Sequence, residues 1–208
     1  METLLLQPAV PTPASTKVEL KCQSPLVSYF RAPIQNVKPS ECIDLEEVYR
    51  RITGTSYFAV TQSLRKLQDP KLQRSFKASR LDYVTFSGVF SKRCEEGLLE
   101  HSGLLVVDLD QLENLAEARQ LLLNDKELAT ELLFTSPSGN GLKWVVECDL
   151  SQYSHSRYFQ AVSSYLWQTY RLKADASGRD VSRACFLGYD PLAVLGIPAV
   201  NAENSLTL

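Results

Sequence analysis

The 208-residue chain has five cysteines, two histidines, one methionine and a formal charge of only −2. Each shortage excludes something. No stretch approaches the roughly 20 apolar residues that cross a bilayer as a helix, so no membrane span is expected. The cysteines (Cys22, Cys42, Cys94, Cys148 and Cys185) are odd in number and form no CxxC pair. Neither a disulfide framework nor a cysteine-rich zinc site is expected, and a reducing cytoplasm is the expected compartment. The opening METLLLQPAVPTPAST lacks a basic region ahead of its apolar patch, so it is not read as a secretory leader. Near-balance of 22 basic and 24 acidic residues argues against a generic basic coat for nucleic acid. No Ser-His-Asp or Cys-His hydrolase pattern is recognisable. His101 and His155 have no partner at metal-ligand spacing and read as structural or surface residues. Trp144 and Trp167 read as core, and Cys185 as a small buried hydrophobe.

What is present is an ordinary globular composition, 44% hydrophobic and 22% charged, on a chain long enough for a real core. The charge is unevenly spread. Residues 1–100 carry 14 basic and 11 acidic side chains, residues 101–208 carry 8 and 13. The sharpest basic stretch comprises Arg65, Lys66, Lys71, Arg74, Lys77, Arg80, Lys92 and Arg93 against Asp69 and Asp82. It reads either as a solvated helix face or as a surface that tracks phosphates.

Prolines crowd residues 1–40 and predict an extended N-terminal arm over 1–26. Asp44 followed by Glu47 has capping-box spacing, which predicts a helix to Ile52 that Gly54 stops. Further helices are expected over Phe58–Leu67, from Pro70 through Phe76, over 114–123 and over 154–171. Strands are expected over Tyr83–Phe90, Leu104–Val107, Leu132–Thr135, Leu142–Cys148 and Ala184–Leu187. The class is therefore α+β, with a mixed sheet and flanking helices, in one domain over 27–191. The tail 192–208 is expected to be weakly structured.

Three local patterns suggest chemistry. Asp108-Leu109-Asp110 ends an apolar strand, and period-two alternation puts both carboxylates on one face about 7 Å apart. Two such carboxylates repel unless a cation lies between them, and a hard ion such as Mg²⁺ or Mn²⁺ meets that need. A turn in which Asp110 caps the next helix is the plainer alternative. Second, Thr135-Ser136-Pro137-Ser138-Gly139-Asn140-Gly141-Leu142-Lys143 joins two strands with small residues whose N–H groups can approach an anion, with Lys143 ready to pair with a phosphate. It lacks the glycine spacing of a Walker A loop, and a plain hairpin turn is the alternative. Third, Asp175-Ala176-Ser177-Gly178-Arg179-Asp180-Val181-Ser182-Arg183 offers Asp175 or Asp180 to complete a metal site. Its Arg183, just ahead of an apolar strand, suits a carboxylate or phosphate partner. A polar loop with an internal salt bridge is the alternative there.

In order and context these segments resemble the VirE N-terminal domain family, a primase-polymerase-like group of the archaeo-eukaryotic primase superfamily associated with mobile elements and phages. Carrying the resemblance are Val84–Phe90, Ser102–Asp110, Ser136–Lys143 and Asp180–Pro191. It implies the superfamily's catalytic core and a metal-dependent nucleotidyltransferase of the DNA primase or polymerase type. Asp108, Asp110 and Asp175 match its metal-binding acids, with Asp180 competing for the third place. Ser136, Ser138, Gly139, Lys143 and Arg183 fall where nucleotide is bound, and Lys143 stands where the superfamily usually has histidine. The resemblance implies Mg²⁺ or Mn²⁺ as cofactor, with single-stranded DNA template and nucleoside triphosphates as partners. A separate helicase is a further implied partner. Arg65, Lys66, Lys77, Arg80, Lys92 and Arg93 would then face the template backbone. A catalytically reduced binding module, or a metal-dependent nuclease or phosphohydrolase, remains the alternative.

Overall fold

Three six-residue apolar strands, whose side chains alternate between two covered faces, set the architecture. The computed structural model describes residues 24–197, so most of the expected arm and the end of the tail lie outside the described residues. Strand β6 (Leu104–Leu109) pairs antiparallel with β8 (Leu142–Glu147), placing Leu104 opposite Glu147 and Asp108 opposite Lys143. Strands β7 (Thr130–Thr135) and β10 (Val194–Ile197) extend this sheet in the order β10-β7-β8-β6. One face carries Leu105, Val107, Leu109, Leu133, Trp144 and Val146. It packs on Ala118 and Leu122 of α4 (Leu115–Leu123) and on Phe159, Val162 and Leu166 of α5 (His155–Tyr170). The Trp144 indole N–H donates to Thr130 Oγ1 at 2.8 Å, which avoids the roughly 1–3 kcal/mol cost of an unpaired buried donor.

The opposite face, with Leu104, Val106, Leu132, Phe134 and Val145, meets a second four-stranded sheet. Its order is β2-β1-β3-β9, formed by β1 (Val27–Phe30), β2 (Glu41–Ile43), β3 (Tyr83–Thr85) and β9 (Cys185–Phe186). A two-stranded ribbon of β4 (Gly88–Phe90) and β5 (Leu98–His101) completes the strands. The described strand pairs are all antiparallel, and with five α-helices the class is α+β. Among the described residues no helix is long and apolar enough to cross a membrane.

Local rules account for the helices. Asp44 caps α1 (Leu45–Thr53) by accepting from the Glu47 N–H, and Gly54 ends it. Helix α2 covers Phe58–Arg65, and Asp69 with Pro70 starts α3 (Pro70–Arg80). Three expectations fail. The single strand over Tyr83–Phe90 is two strands in different sheets, broken by a turn at Phe86-Ser87. Just after the turn Gly88, at φ +155°, lies so close to the Glu100 carbonyl that a Cβ would sit 2.1 Å from it, so the pairing of β4 with β5 requires glycine here. The described part of the tail is not shapeless, since β10 pairs with β7 and covers its edge. Trp167 is not core: it lies 51% exposed on α5, with the Arg171 guanidinium 5.7 Å from its ring centre.

The two histidines, far apart in sequence, touch. His101 at the end of β5 and His155 at the start of α5 place Nε2 and Nδ1 3.1 Å apart. The Gly103 N–H donates to His101 Nδ1, and His155 Nε2 faces the Gly178 carbonyl at 3.2 Å. Those partners make both rings neutral, with His101 Nε2–H donating to His155 Nδ1. Burial, with the neighbouring His155, pushes His101 down to about 4, and burial lowers His155 too. The unfolded chain therefore binds protons on these rings before the folded one does. Stability from the pair is full above about pH 6.5 and is lost as pH falls toward 4. In chelator-containing buffer, His101→Phe should show a shallower loss of melting temperature between pH 6.5 and 4 than wild type; an identical slope would contradict the paired arrangement.

Candidate functional site

Asp108 lies on the face of β6 that turns toward the second sheet, and its cross-strand neighbour Lys143 lies on the same face. The Lys143 ammonium donates to Asp108 Oδ2, and both side chains are about nine-tenths buried. Burial pushes the Asp108 carboxyl up while Lys143 pulls it back. For Lys143 burial works against the charge, but Cys185, Asp108 and Asp110 hold the ammonium above the usual range. Asp110, one residue beyond β6, is exposed.

Asp175 reaches the same place from the loop after α5. Its backbone N–H donates to the Asp108 carbonyl at 2.8 Å, so β6 itself anchors the loop. Its carboxylate caps a short 3-10 turn (Ala176–Arg179), accepting from the Ser177 N–H and hydroxyl, and meets Arg183 Nη2 at 3.2 Å. Although burial raises it, these hydrogen bonds and Arg183 hold the carboxyl below the ordinary range. Arg183 also lies 3.9 Å from Asp108 Oδ2. One oxygen from each of Asp108, Asp110 and Asp175 falls within 4.8 Å of the others. Asp180 is not part of this group; its Oδ1 accepts from the N–H and hydroxyl of Ser182.

The turn between β7 and β8 forms another wall. Ser136 is buried, Ser138 half-buried, and Gly139 and Asn140 exposed. Asp190 secures this wall by accepting from the Thr135 N–H at 2.6 Å and from Arg119 at 3.1 Å. Ser136, Ser138, Asn140, Lys143, Arg183 and the three aspartates line one cavity of about 510 Å³, together with Arg74 and Lys77 of α3. Burial and the charge of Lys143 lower the Lys77 ammonium, with Asp110 and Asp108 pulling the other way. Two fully buried oxygens on this cavity have no hydrogen-bond partner, Asp108 Oδ1 and Ser136 Oγ. Buried polar atoms are nearly always paired, so each of these two oxygens has capacity for a further partner such as a water, an ion or a ligand atom. All-oxygen donors suit a hard ion such as Mg²⁺ or Mn²⁺.

The expected basic surface divides by role. Arg65 turns inward, donating to the Pro137 carbonyl at 3.1 Å and bracing the turn at Gly139. Arg93 lies over the Tyr83 ring and donates to its hydroxyl at 3.2 Å. Both guanidiniums are committed within the fold. Lys66, Arg80 and Lys92 are exposed away from the cavity lining, while Lys77 with Arg74 belongs to it. The sequence offered Arg74 only as part of a basic run; α3 spacing places it one turn from Lys77 on the same face.

Behind the acidic loop, Gly178 packs so closely on Phe159 of α5 that a Cβ would lie 2.3 Å from the ring. Gly178→Ala is expected to cost about 1–3 kcal/mol through overpacking and to displace Asp175. A chemical denaturation midpoint equal to wild type would contradict this.

Residues 76–194, more than half of the chain, match the family model described as BT4734-like, N-terminal domain. This corrects the resemblance to the VirE N-terminal domain family, because the matching family is a different one. The match spans every acidic and basic group of the cavity except Arg74, and leaves out β1, β2, α1 and α2. No curated protein and no solved structure matches the chain.

Proposed function

We propose that this chain, which belongs to the BT4734-like N-terminal domain family, is a divalent-metal-dependent nucleotidyltransferase acting on nucleic acid with nucleoside triphosphates. The observation that carries this reading is the cavity itself, where three aspartates from two segments meet four cations and two unpartnered buried oxygens. Triphosphate and metal together need both signs of charge in one place, and few other ligands do.

Asp108, Asp110 and Asp175 would hold Mg²⁺ or Mn²⁺, which supplies charge neutralisation at phosphate oxygens and acidifies a strand hydroxyl. Lys143 neutralises Asp108 in the ligand-free chain and offers a point charge to a phosphate when a cation takes its place. Arg183 orients Asp175 and leaves part of its fork, 40% exposed, for a phosphate. Ser136 Oγ supplies a buried donor, and Arg74 and Lys77 extend the positive wall toward a strand backbone.

A second reading, a binding module that does not turn over, is favoured by one observation: the Lys143 ammonium already compensates the most buried of the three clustered aspartates. Primer extension on a single-stranded template with Mg²⁺ or Mn²⁺ separates the readings. Extension by wild type and none by Asp108→Asn or Asp110→Asn supports transfer. Absence of extension, with template binding lost only when Arg74 and Lys77 are neutralised, supports the binding module. Template shortening would instead indicate hydrolysis.

A further inference from the structure

Beyond the acidic cavity the fold assembles a second, chemically different donor set. His101 ends β5, Cys148 follows β8, and His155 opens α5, so three separate segments converge. One ligand atom from each lies within 4.8 Å of the others. We propose that His101, Cys148 and His155 form a zinc site, independent of the oxygen-lined centre and of the reaction proposed there.

Four observations support it. His101 Nε2 and His155 Nδ1 point at each other across 3.1 Å, close to the spacing of neighbouring ligands on one ion. The far nitrogen of His155 is held by the Gly178 carbonyl, the outer contact that fixes a ligating ring with its free lone pair inward. Cys148 is pinned by its N–H to the Gly103 carbonyl at 2.7 Å, which keeps its side chain beside the rings. Finally, His101 and Cys148 line a cavity of about 750 Å³ whose wall includes Glu100, Glu147 and Asp149. That cavity is an entry path for a cation and leaves room for water as a fourth ligand.

Two nitrogens and a sulfur select a borderline ion such as Zn²⁺ over Mg²⁺ or Mn²⁺, so the two centres would not compete for metal. Loading sends the Cys148 thiol proton to solvent, a proton that burial and the adjacent Asp149 and Glu147 otherwise hold up to about 11. It also moves the His101 proton from Nε2 to Nδ1 and releases the Gly103 N–H contact. The consequence is a cross-link between the end of β5, the end of β8 and the start of α5.

The test is a Co²⁺ titration of the full chain after chelator treatment, read by absorption. One equivalent should give a thiolate-to-cobalt charge-transfer band and tetrahedral d–d bands, both removed by Zn²⁺. Cys148→Ser should lose the charge-transfer band, and Asp110→Asn, which alters only the acidic centre, should keep it. Wild-type protein with native circular dichroism and no charge-transfer band would overturn the proposal, leaving a neutral histidine pair only. So would a band that survives Cys148→Ser. The wild-type readout stands even where a substitution fails to fold.

Discussion

Lys143→Ala is expected to destabilise the fold by about 3–5 kcal/mol, the cost of leaving a buried charge without its partner. The two side chains face one another across β6 and β8, each with a side chain 11% exposed, in the seam between the sheets. Removing the ammonium strands the Asp108 carboxylate, since Arg183 stands 3.9 Å away and is shared with Asp175. Neutralising both partners behaves differently. Lys143→Met with Asp108→Asn should recover most of the loss, because neither residue then carries an unpaired charge. Urea midpoints for the two single variants and the double close the cycle, and strictly additive effects would contradict a coupled pair.

Asp110→Asn should do the opposite, sparing stability and removing activity. Asp110 is exposed and makes no salt bridge among the described residues, so its loss should move the denaturation midpoint by less than about 0.5 kcal/mol. On the proposed metal-dependent reading, its loss from the acidic trio should lower turnover roughly a thousandfold, the scale of several kcal/mol of lost charge stabilisation. Turnover within tenfold of wild type would exclude Asp110 from the metal centre.

Much of this arrangement was legible beforehand where a rule acts locally. Asp44 with Glu47, and Pro70 after Asp69, announce helix starts because a cap needs only its own first turn. The runs Leu104–Val107 and Leu142–Cys148 read as strands because a sheet covered on both faces demands continuous apolar sequence. Asp108, Lys143 and Arg183 were identifiable as charges set against apolar strands. Long-range pairing was not legible. The facing of Asp108 and Lys143 depends on the register of β6 against β8, 35 residues apart. Likewise His101 and His155 stand 54 residues apart and follow no ligand spacing. Arg65 and Arg93 belonged to a run that suggested a phosphate-facing surface, yet carbonyls and a tyrosine from distant segments claim them. That Asp175 and not Asp180 stands beside Asp108 follows from the backbone bond between Asp175 and the Asp108 carbonyl, a long-range contact no local pattern announces. The family also had to come from a match over the whole of residues 76–194, because the four segments that carried the resemblance pointed to a different one.

Mn²⁺ binding to the full chain, titrated by electron paramagnetic resonance with and without a nucleoside triphosphate, tests the acidic centre most directly. Wild type should bind Mn²⁺ at this centre, more tightly when the triphosphate is present, and Asp110→Asn and Asp175→Asn should each lose that gain. No Mn²⁺ bound by wild type, or binding undiminished in both variants, would contradict a metal-dependent transfer site at these aspartates.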